Sequence, residues 1–392
     1  MRILLITYSF PPSTRISAQR WFKLCSESTN SNLNFTIITA NWKGEKIVGD
    51  NIHYLGEQQQ PIISKSIVGK PSILDLIKHP TIYLRTVSRT LFSSWIRVSK
   101  NWIDIHKKDK YDIIIASYGP ISSLIIGNYA KSIYNCPLIL DLRDLISIQG
   151  QKKQIPVFHQ IDKFLDQFFC RKVDLFTTVS PTCKLKSEKF YKRPVKILYN
   201  GFKNEISCDV TKKFTKKNIN ILYAGTLGEF RNPRKIIEII SSFSKKNLDW
   251  NISINFASQD NPFDYLSKTL LNRLKIYWLG YLNKDDLNDY YSKSDAFLLI
   301  EDQEPKGDEN LTGKIYEYMN QNKPIMASCS KTSDIIKILK ETNSGGLIDN
   351  YSSLEQFLKK EWIIKKEKVN KYSVKNQIEV LCEILTLTKS IS

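Results

Sequence analysis

The chain is short of the residues that staple or metallate a fold. Its seven cysteines (Cys25, Cys136, Cys170, Cys183, Cys208, Cys329 and Cys382) are odd in number and scattered, and no Cys-x2-Cys occurs. That pattern excludes a disulfide framework and a zinc site and points to reduced, cytoplasmic thiols. The four histidines, His53, His79, His106 and His159, have no metal-ligand spacing. No stretch of about 18 uncharged apolar residues is present, so no segment is expected to span a membrane. The opening run Met-Arg-Ile-Leu-Leu-Ile-Thr-Tyr is too short for a signal peptide and reads as a buried strand. Internal repeats and low-complexity tracts are absent.

Acid is the other shortage: 39 Asp and Glu stand against 58 Lys and Arg, a net charge of +19. A basic surface fits nucleic acid, an anionic membrane or anionic small molecules. It fits equally a compositional drift, because Lys, Ile and Asn are abundant together. No nucleic-acid module is recognisable, and the aromatics form no stacking motif. Apolar residues at 42% and charged residues at 25% are those of an ordinary folded protein, and 392 residues suit two domains.

Apolar strands alternate with helical patterns along the chain, which implies parallel sheets with helical crossovers. The expected fold class is α/β, with two Rossmann-like, doubly wound domains. The first covers residues 1–203 and is rejoined by a C-terminal crossing helix at 369–392. The second covers 204–368, with the lysine-rich stretch Lys203 to Asn218 as linker. Open parallel sheets bind ligands beyond the carboxyl ends of their strands. The loops at 10–15, 117–120, 141–144, 200–201, 225–231 and 301–313 sit at such ends and are expected to face one cleft between the domains.

The most informative stretch runs from Glu309 to Ala327. Glu309 and Glu317 stand with seven residues between them, the first in a polar loop and the second in a short amphipathic helix. Asn310 and Thr312 are both good cap residues for that helix. Lys323-Pro324 stops it, and an apolar strand from Ile325 follows. The spacing places one carboxylate before the helix and the other over a turn inside it. Between them lies the helix N-terminus, with Gly313, whose free N–H groups suit a phosphate. Two acceptors for hydroxyls around a positive pole match a nucleoside-diphosphate sugar. A second glycine-bearing segment, Gly225-Thr226-Leu227-Gly228-Glu229-Phe230-Arg231, follows a strand and precedes a helix, so its amides and Arg231 suit a phosphate.

These two segments resemble the donor site of GT-B glycosyltransferases, family 4 in particular. There a Glu-x7-Glu pair precedes a Lys-Pro or Gly-Lys-Pro stop. Glu301 and Glu309 share the same spacing, but Gly313-Lys314-Ile315-Tyr316-Glu317-Tyr318 and Lys323-Pro324-Ile325 single out Glu309 and Glu317. The resemblance implies that Glu309 touches the transferred sugar and Glu317 the ribose. It also implies that Arg231, with Arg234 and Lys235 as further candidates, holds the diphosphate. Lys314 is placed to neutralise the leaving phosphate. Donor contacts are also expected at Gly225, Thr226, Thr312 and Gly313. Phe10-Pro11-Pro12 with Arg15 and Arg20 resembles the family's first loop, but Ser13-Thr14-Arg15 stands where glycines are usual, so Ser13 or Arg15 is expected to substitute. Asp141-Leu142-Arg143-Asp144 resembles an Asp-x-Arg-Asp step of surface-polysaccharide transferases, with Asp144 or Arg143 near the acceptor or sugar. An ion pair bracing the strand end is the competing reading.

The implied activity is a retaining transfer of a sugar from a nucleotide-diphosphate sugar to a glycan or lipid-linked hydroxyl in polysaccharide biosynthesis. It is expected to need no metal and no cofactor beyond the donor. The rivals are a nucleotide-sugar epimerase on the same fold and a non-catalytic basic protein that binds nucleic acid or a membrane. In the segment 78–110, Leu84, Val87, Leu91, Trp95, Ile96 and Trp102 alternate with seven Arg and Lys residues. Such a helix suits an anionic membrane surface, which would make the protein cytoplasmic and peripheral at the inner face. The same pattern also suits a helix packed on the core with its charges outward.

Overall fold

The computed structural model describes residues 1–13, 15–59, 93–143, 145, 156–215, 217–267 and 274–391. They divide into two compact units, Met1–Tyr199 with Gln377–Ser392, and Asn200–Asn376. The sequence reading sets these boundaries at 203/204 and 368/369.

The first unit runs β1 (Arg2–Thr7), α1 (Ile16–Glu27), β2 (Asn34–Trp42), β3 (Ile52–Gln59), α2 (Ser94–Ile105), β4 (Ile113–Ser117), α3 (Ser122–Tyr134), β5 (Leu138–Leu142), α4 (Pro156–Cys170), β6 (Leu175–Thr178), α5 (Pro181–Tyr191) and β7 (Val195–Ile197). Its seven strands form one sheet in the order β3-β2-β1-β4-β5-β6-β7, parallel throughout. Strands β4 and β5 are buried along their whole length. That is why they read as continuous apolar runs rather than alternating ones.

The second unit runs β8 (Val210–Lys212), β9 (Asn218–Ala224), α6 (Arg234–Lys246), β10 (Asn251–Ala257), β11 (Lys275–Gly280), α7 (Lys284–Lys293), β12 (Ala296–Ile300), α8 (Gly313–Met319), β13 (Ile325–Ser328), α9 (Asp334–Thr342), β14 (Gly345–Leu347), α10 (Tyr351–Lys359), β15 (Trp362–Ile364) and α11 (Lys366–Asn370). Six strands form a parallel sheet in the order β11-β10-β9-β12-β13-β14. The expected α/β architecture of two doubly wound sheets is therefore present.

Two boundaries depart from the sequence reading. The lysine-rich stretch after Lys203 is no simple linker, because β8 within it pairs antiparallel with β15, Val210 opposite Ile364. The C-terminal helical pattern is broken: α11 stops at Asn370, and α12 (Val374–Ile391) begins after a turn. From Gln377 onward α12 belongs to the first unit, where Gln377 accepts from the Tyr199 N–H at 2.8 Å and Lys389 pairs with Asp112 at 2.7 Å.

The membrane reading of 78–110 meets a different arrangement. Residues 78–92 lie outside the described ones. In α2, Trp95, Ile96, Trp102 and Ile103 are buried in the first unit's core, so these tryptophans pack inward and are not displayed. Burying such side chains stabilises by about 1.5–3 kcal/mol each, more than an exposed aromatic face returns. Among the described residues no helix is long and apolar enough to cross a membrane.

Candidate functional site

In each large sheet the strand order reverses at one point, between β1 and β4 in the first unit and between β9 and β12 in the second. The loops leaving adjacent strands in opposite directions there open a crevice at the carboxyl ends. In the second unit those loops are 225–233 and 301–312, the two segments that the sequence singles out.

The motif helix α8 is fixed by its inner face. Ile315, Tyr316, Tyr318 and Met319 are buried. The Tyr318 ring stacks on Phe297 of β12 at 4.6 Å, and its hydroxyl accepts from the Ala224 N–H of β9 at 2.8 Å. An aromatic pair of this kind adds about 0.5–1.5 kcal/mol beyond its burial. Lys314 and Glu317 fall on the outer face. Thr312 caps the helix and accepts from the Lys314 N–H at 3.5 Å. The helix ends at Met319, and the turn after it passes through Asn322, whose φ of 55° lies in the left-handed region. Lys323 then turns away from the site and donates to the Tyr291 and Ser292 carbonyls at 2.6 and 2.7 Å. The Lys of the Lys-Pro stop therefore caps the end of α7. At seven residues α8 aligns few peptide dipoles, so positive charge at this site rests on side chains more than on the helix end.

Arg231 supplies that charge. Its Nε donates to Glu301 Oε1 at 2.9 Å, its Nη2 lies 2.9 Å from the same oxygen, and its Nη1 donates to Thr226 Oγ1 at 3.1 Å. Glu301 ends β12 and is nearly fully buried. Burial raises its carboxyl above the ordinary value, opposed by the Arg231 charge and by hydrogen bonds from Arg231 and Thr312. Glu301 thus ties the glycine-bearing loop after β9 to the cap of α8. The sequence reading set this residue aside as a coincidence of spacing. Its signal was a carboxylate at the carboxyl end of a wholly apolar strand, where little but a partner or a ligand justifies a charge.

Gly228 and Gly313 face open space: a Cβ built on either meets nothing within 4 Å, and neither has a positive φ. Neither packing nor backbone conformation calls for glycine there. Glycine at such a position leaves room for a group to approach the backbone closely. Gly225 is different, since its N–H donates to the Ala257 carbonyl at 3.1 Å and a Cβ would meet the Tyr223 hydroxyl at 3.3 Å.

The two motif glutamates have unequal surroundings. Glu309 is buried at 4% exposure. Glu317 is half exposed and pairs with Lys314 Nζ at 2.7 Å. It also accepts from the Tyr291 hydroxyl at 3.2 Å. Burial, first of all, lifts the Tyr291 phenol far above its usual range, so it remains a donor.

The sequence-derived residues therefore gather unevenly. Thr226, Arg231, Thr312, Lys314 and Glu317 are joined by hydrogen bonds and ion pairs, through Glu301 and the α8 cap. Gly225 and Glu309 lie in the same two loops, and Gly313 opens α8. Ser13 and Arg15 belong to the first unit, in the loop after β1. The Ser13 N–H donates to the Phe10 carbonyl at 3.0 Å, and the Arg15 guanidinium lies 4.7 Å over the Trp42 ring. Asp144 lies outside the described residues. Its neighbour Asp141 is wholly buried and accepts from Arg20, Trp21 and Thr177 at 2.9–3.2 Å. Asp141 braces the strand end. Arg143 donates to the Tyr118 carbonyl at 3.3 Å. Among the described residues no group of three His, Cys, Asp or Glu side chains is arranged to hold a metal.

Comparison with known proteins adds the following. Residues 208–380 match a family model described as glycosyl transferases group 1. No curated protein matches the chain. Among solved structures, Anabaena HepE in complex with UDP-glucose superposes with a TM-score of 0.58 at 14% identity, covering 98% of this chain and 99% of that one. The apo lipopolysaccharide outer core galactosyltransferase WaaB gives 0.61 at 14% identity, covering 99% and 100%. A Listeria monocytogenes protein assigned as a UDP-N-acetylglucosamine 2-epimerase gives 0.51 at 12% identity, covering 99% and 97%. At such identities these likenesses concern the fold.

Proposed function

We propose that this chain, a glycosyltransferase of GT-B fold whose residues 208–380 belong to the group 1 glycosyl transferases, binds a nucleoside-diphosphate sugar at the switch point of its second unit. It moves the sugar to a hydroxyl of a glycan or lipid-linked acceptor in polysaccharide synthesis, with the anomeric configuration retained as in family 4. The observation that carries this reading is Arg231. Its guanidinium is anchored through Glu301 and Thr226 yet 38% exposed, beside two glycines that face open space.

The chemistry needs a stabilised leaving group. As the bond from the anomeric carbon to the diphosphate oxygen lengthens, negative charge grows on the diphosphate. A cation fixed in advance lowers the barrier because it interacts more strongly with that charge than with the ground state. Arg231 is such a cation. Lys314 is the second, now paired with Glu317. A ribose diol that takes Glu317 as acceptor displaces Lys314 and releases its ammonium toward the diphosphate. Glu309 orients the sugar hydroxyls. These side chains supply the positive charge without a further cofactor.

A thermal-shift screen of the full chain against UDP, GDP, dTDP, ADP and CMP identifies the base. Sugars on that nucleotide are then assayed with and without a lipid-linked glycan acceptor. The expected result is a shift with one nucleoside diphosphate and acceptor-dependent release of it. Conversion of the free nucleotide sugar without acceptor would make the protein an epimerase, although residues 200–376 contain no histidine to serve as its acid or base. No shift and no release would remove the reading.

A further inference from the structure

Helix α4, residues Pro156–Cys170, is turned inside out. Its acidic side chains face the protein: Asp162 and Asp166 are 1% and 0% exposed. Three of its large apolar side chains face outward: Ile161, Phe164 and Phe168 are 41%, 64% and 50% exposed. These three stand at i, i+3 and i+7, one stripe along a helix. The inner face is engaged, since the Tyr191 hydroxyl donates to Asp166 and Asn128 donates to the Phe169 carbonyl at 2.8 Å. The helix therefore cannot roll its phenylalanines inward without burying other groups unpaired. A contiguous apolar stripe on a helix is normally covered.

The outward face also carries charge of one sign. The Phe164 and Phe168 rings stack at 6.5 Å, and the Arg171 guanidinium lies 5.6 Å over the Phe168 ring. Arg171 and Lys172 are both exposed just past its end. Both aspartates of α4 point away from this face, and the chain as a whole carries +19.

We propose that the outward face of α4 is a docking surface for an anionic lipid bilayer, lying in the interface with Ile161, Phe164 and Phe168 among the upper acyl carbons and Arg171 and Lys172 at the headgroups. Apolar side chains flanked by cations, with no exposed acid, fit that boundary. A protein partner of ordinary composition would set carboxylates or backbone acceptors against the cations, and a second copy of this chain would bring +19 against +19. This surface is independent of the donor site and replaces the tryptophan helix α2 as the membrane contact.

The test is flotation of the full chain with vesicles of phosphatidylglycerol and phosphatidylcholine, against phosphatidylcholine alone. Two double variants are compared with wild type: Phe164→Ser with Phe168→Ser, which removes the apolar stripe, and Arg171→Glu with Lys172→Glu, which keeps the stripe and reverses the charge. Wild type is expected to float with the anionic vesicles, and each variant to lose partitioning at least about tenfold with its circular dichroism unchanged. Absence of flotation by wild type would overturn the proposal, as would flotation of either variant at the wild-type level. A wild-type dimer in light scattering that the phenylalanine variant dissolves would assign the face to a second copy and overturn it too.

Discussion

The two units carry the same device with opposite emphasis. Each has a parallel sheet whose order reverses once, and each has an arginine–carboxylate pair at the carboxyl end of a strand, β12 beside the reversal in the second unit and β5 one strand away from it in the first. In the first unit, Arg20 and Asp141 are both wholly buried, and Trp21, Thr177 and the Leu198 carbonyl complete their hydrogen bonds. In the second, Glu301 is buried while Arg231 is 38% exposed and borders glycines with open space beside them. A charge at a strand end is thus not evidence of a ligand by itself. What separates a brace from a binding group is whether its cation still reaches solvent.

The largest expected effect breaks the first of these pairs. Asp141→Ala leaves the Arg20 guanidinium buried without a counter-charge, which costs about 3–5 kcal/mol. Urea unfolding should show that loss. A change below about 1 kcal/mol would mean that Asp141 is not a structural brace.

Arg231→Ala sharpens the other half of the comparison. The variant is expected to lose turnover by about 10- to 100-fold, as one charged hydrogen bond contributes roughly 1.5–3 kcal/mol. A circular dichroism melt controls for Glu301, which is left buried beside a missing cation. Wild-type turnover would place the diphosphate elsewhere.

A smaller effect is expected for Glu317→Ala, which removes the proposed ribose acceptor and frees both Lys314 and Tyr291. Affinity for the nucleoside diphosphate should weaken about fivefold to tenfold, roughly 1–1.5 kcal/mol, by calorimetric titration. Unchanged affinity would take Glu317 out of the site.

The smallest effect is in the pH dependence of stability. Burial raises the Glu301 carboxyl in the folded chain, so the folded state binds this proton more tightly than the unfolded state. Its contribution is most favourable below the ordinary value of 4.5 and declines as pH rises from there through the raised value. Glu301→Gln should flatten that part of the Tm–pH profile. A difference between wild type and variant that stays constant with pH would show that Glu301 titrates as an ordinary carboxylate.

What was legible in the sequence was local. The buried strands announce themselves as apolar runs, and the α8 motif is recognisable from its cap, its spacing and its Lys-Pro stop. What was illegible depends on pairing across the sheet. Glu301 meets Arg231 only because β12 lies beside β9, which brings together residues 70 positions apart. The brace at Asp141 stays one of two readings of residues 141–144 in the sequence because its partner Arg20 is 121 positions away. Trp95 and Trp102 sit in a helix whose apolar stripe suits a membrane as well as a core, and periodicity does not tell one from the other. The inverted face of α4 was invisible for the converse reason: the sequence shows Phe164 and Phe168 but not that Asp162 and Asp166 hold the inner side.

The central claim is that a nucleoside-diphosphate sugar is held by the loops after β9 and β12. Hydrogen exchange of the full chain, with and without the nucleoside diphosphate that shifts its melting, tests it most directly. The account predicts new protection at residues 225–231 and 301–317. Protection that appears elsewhere and leaves both loops unchanged would contradict it.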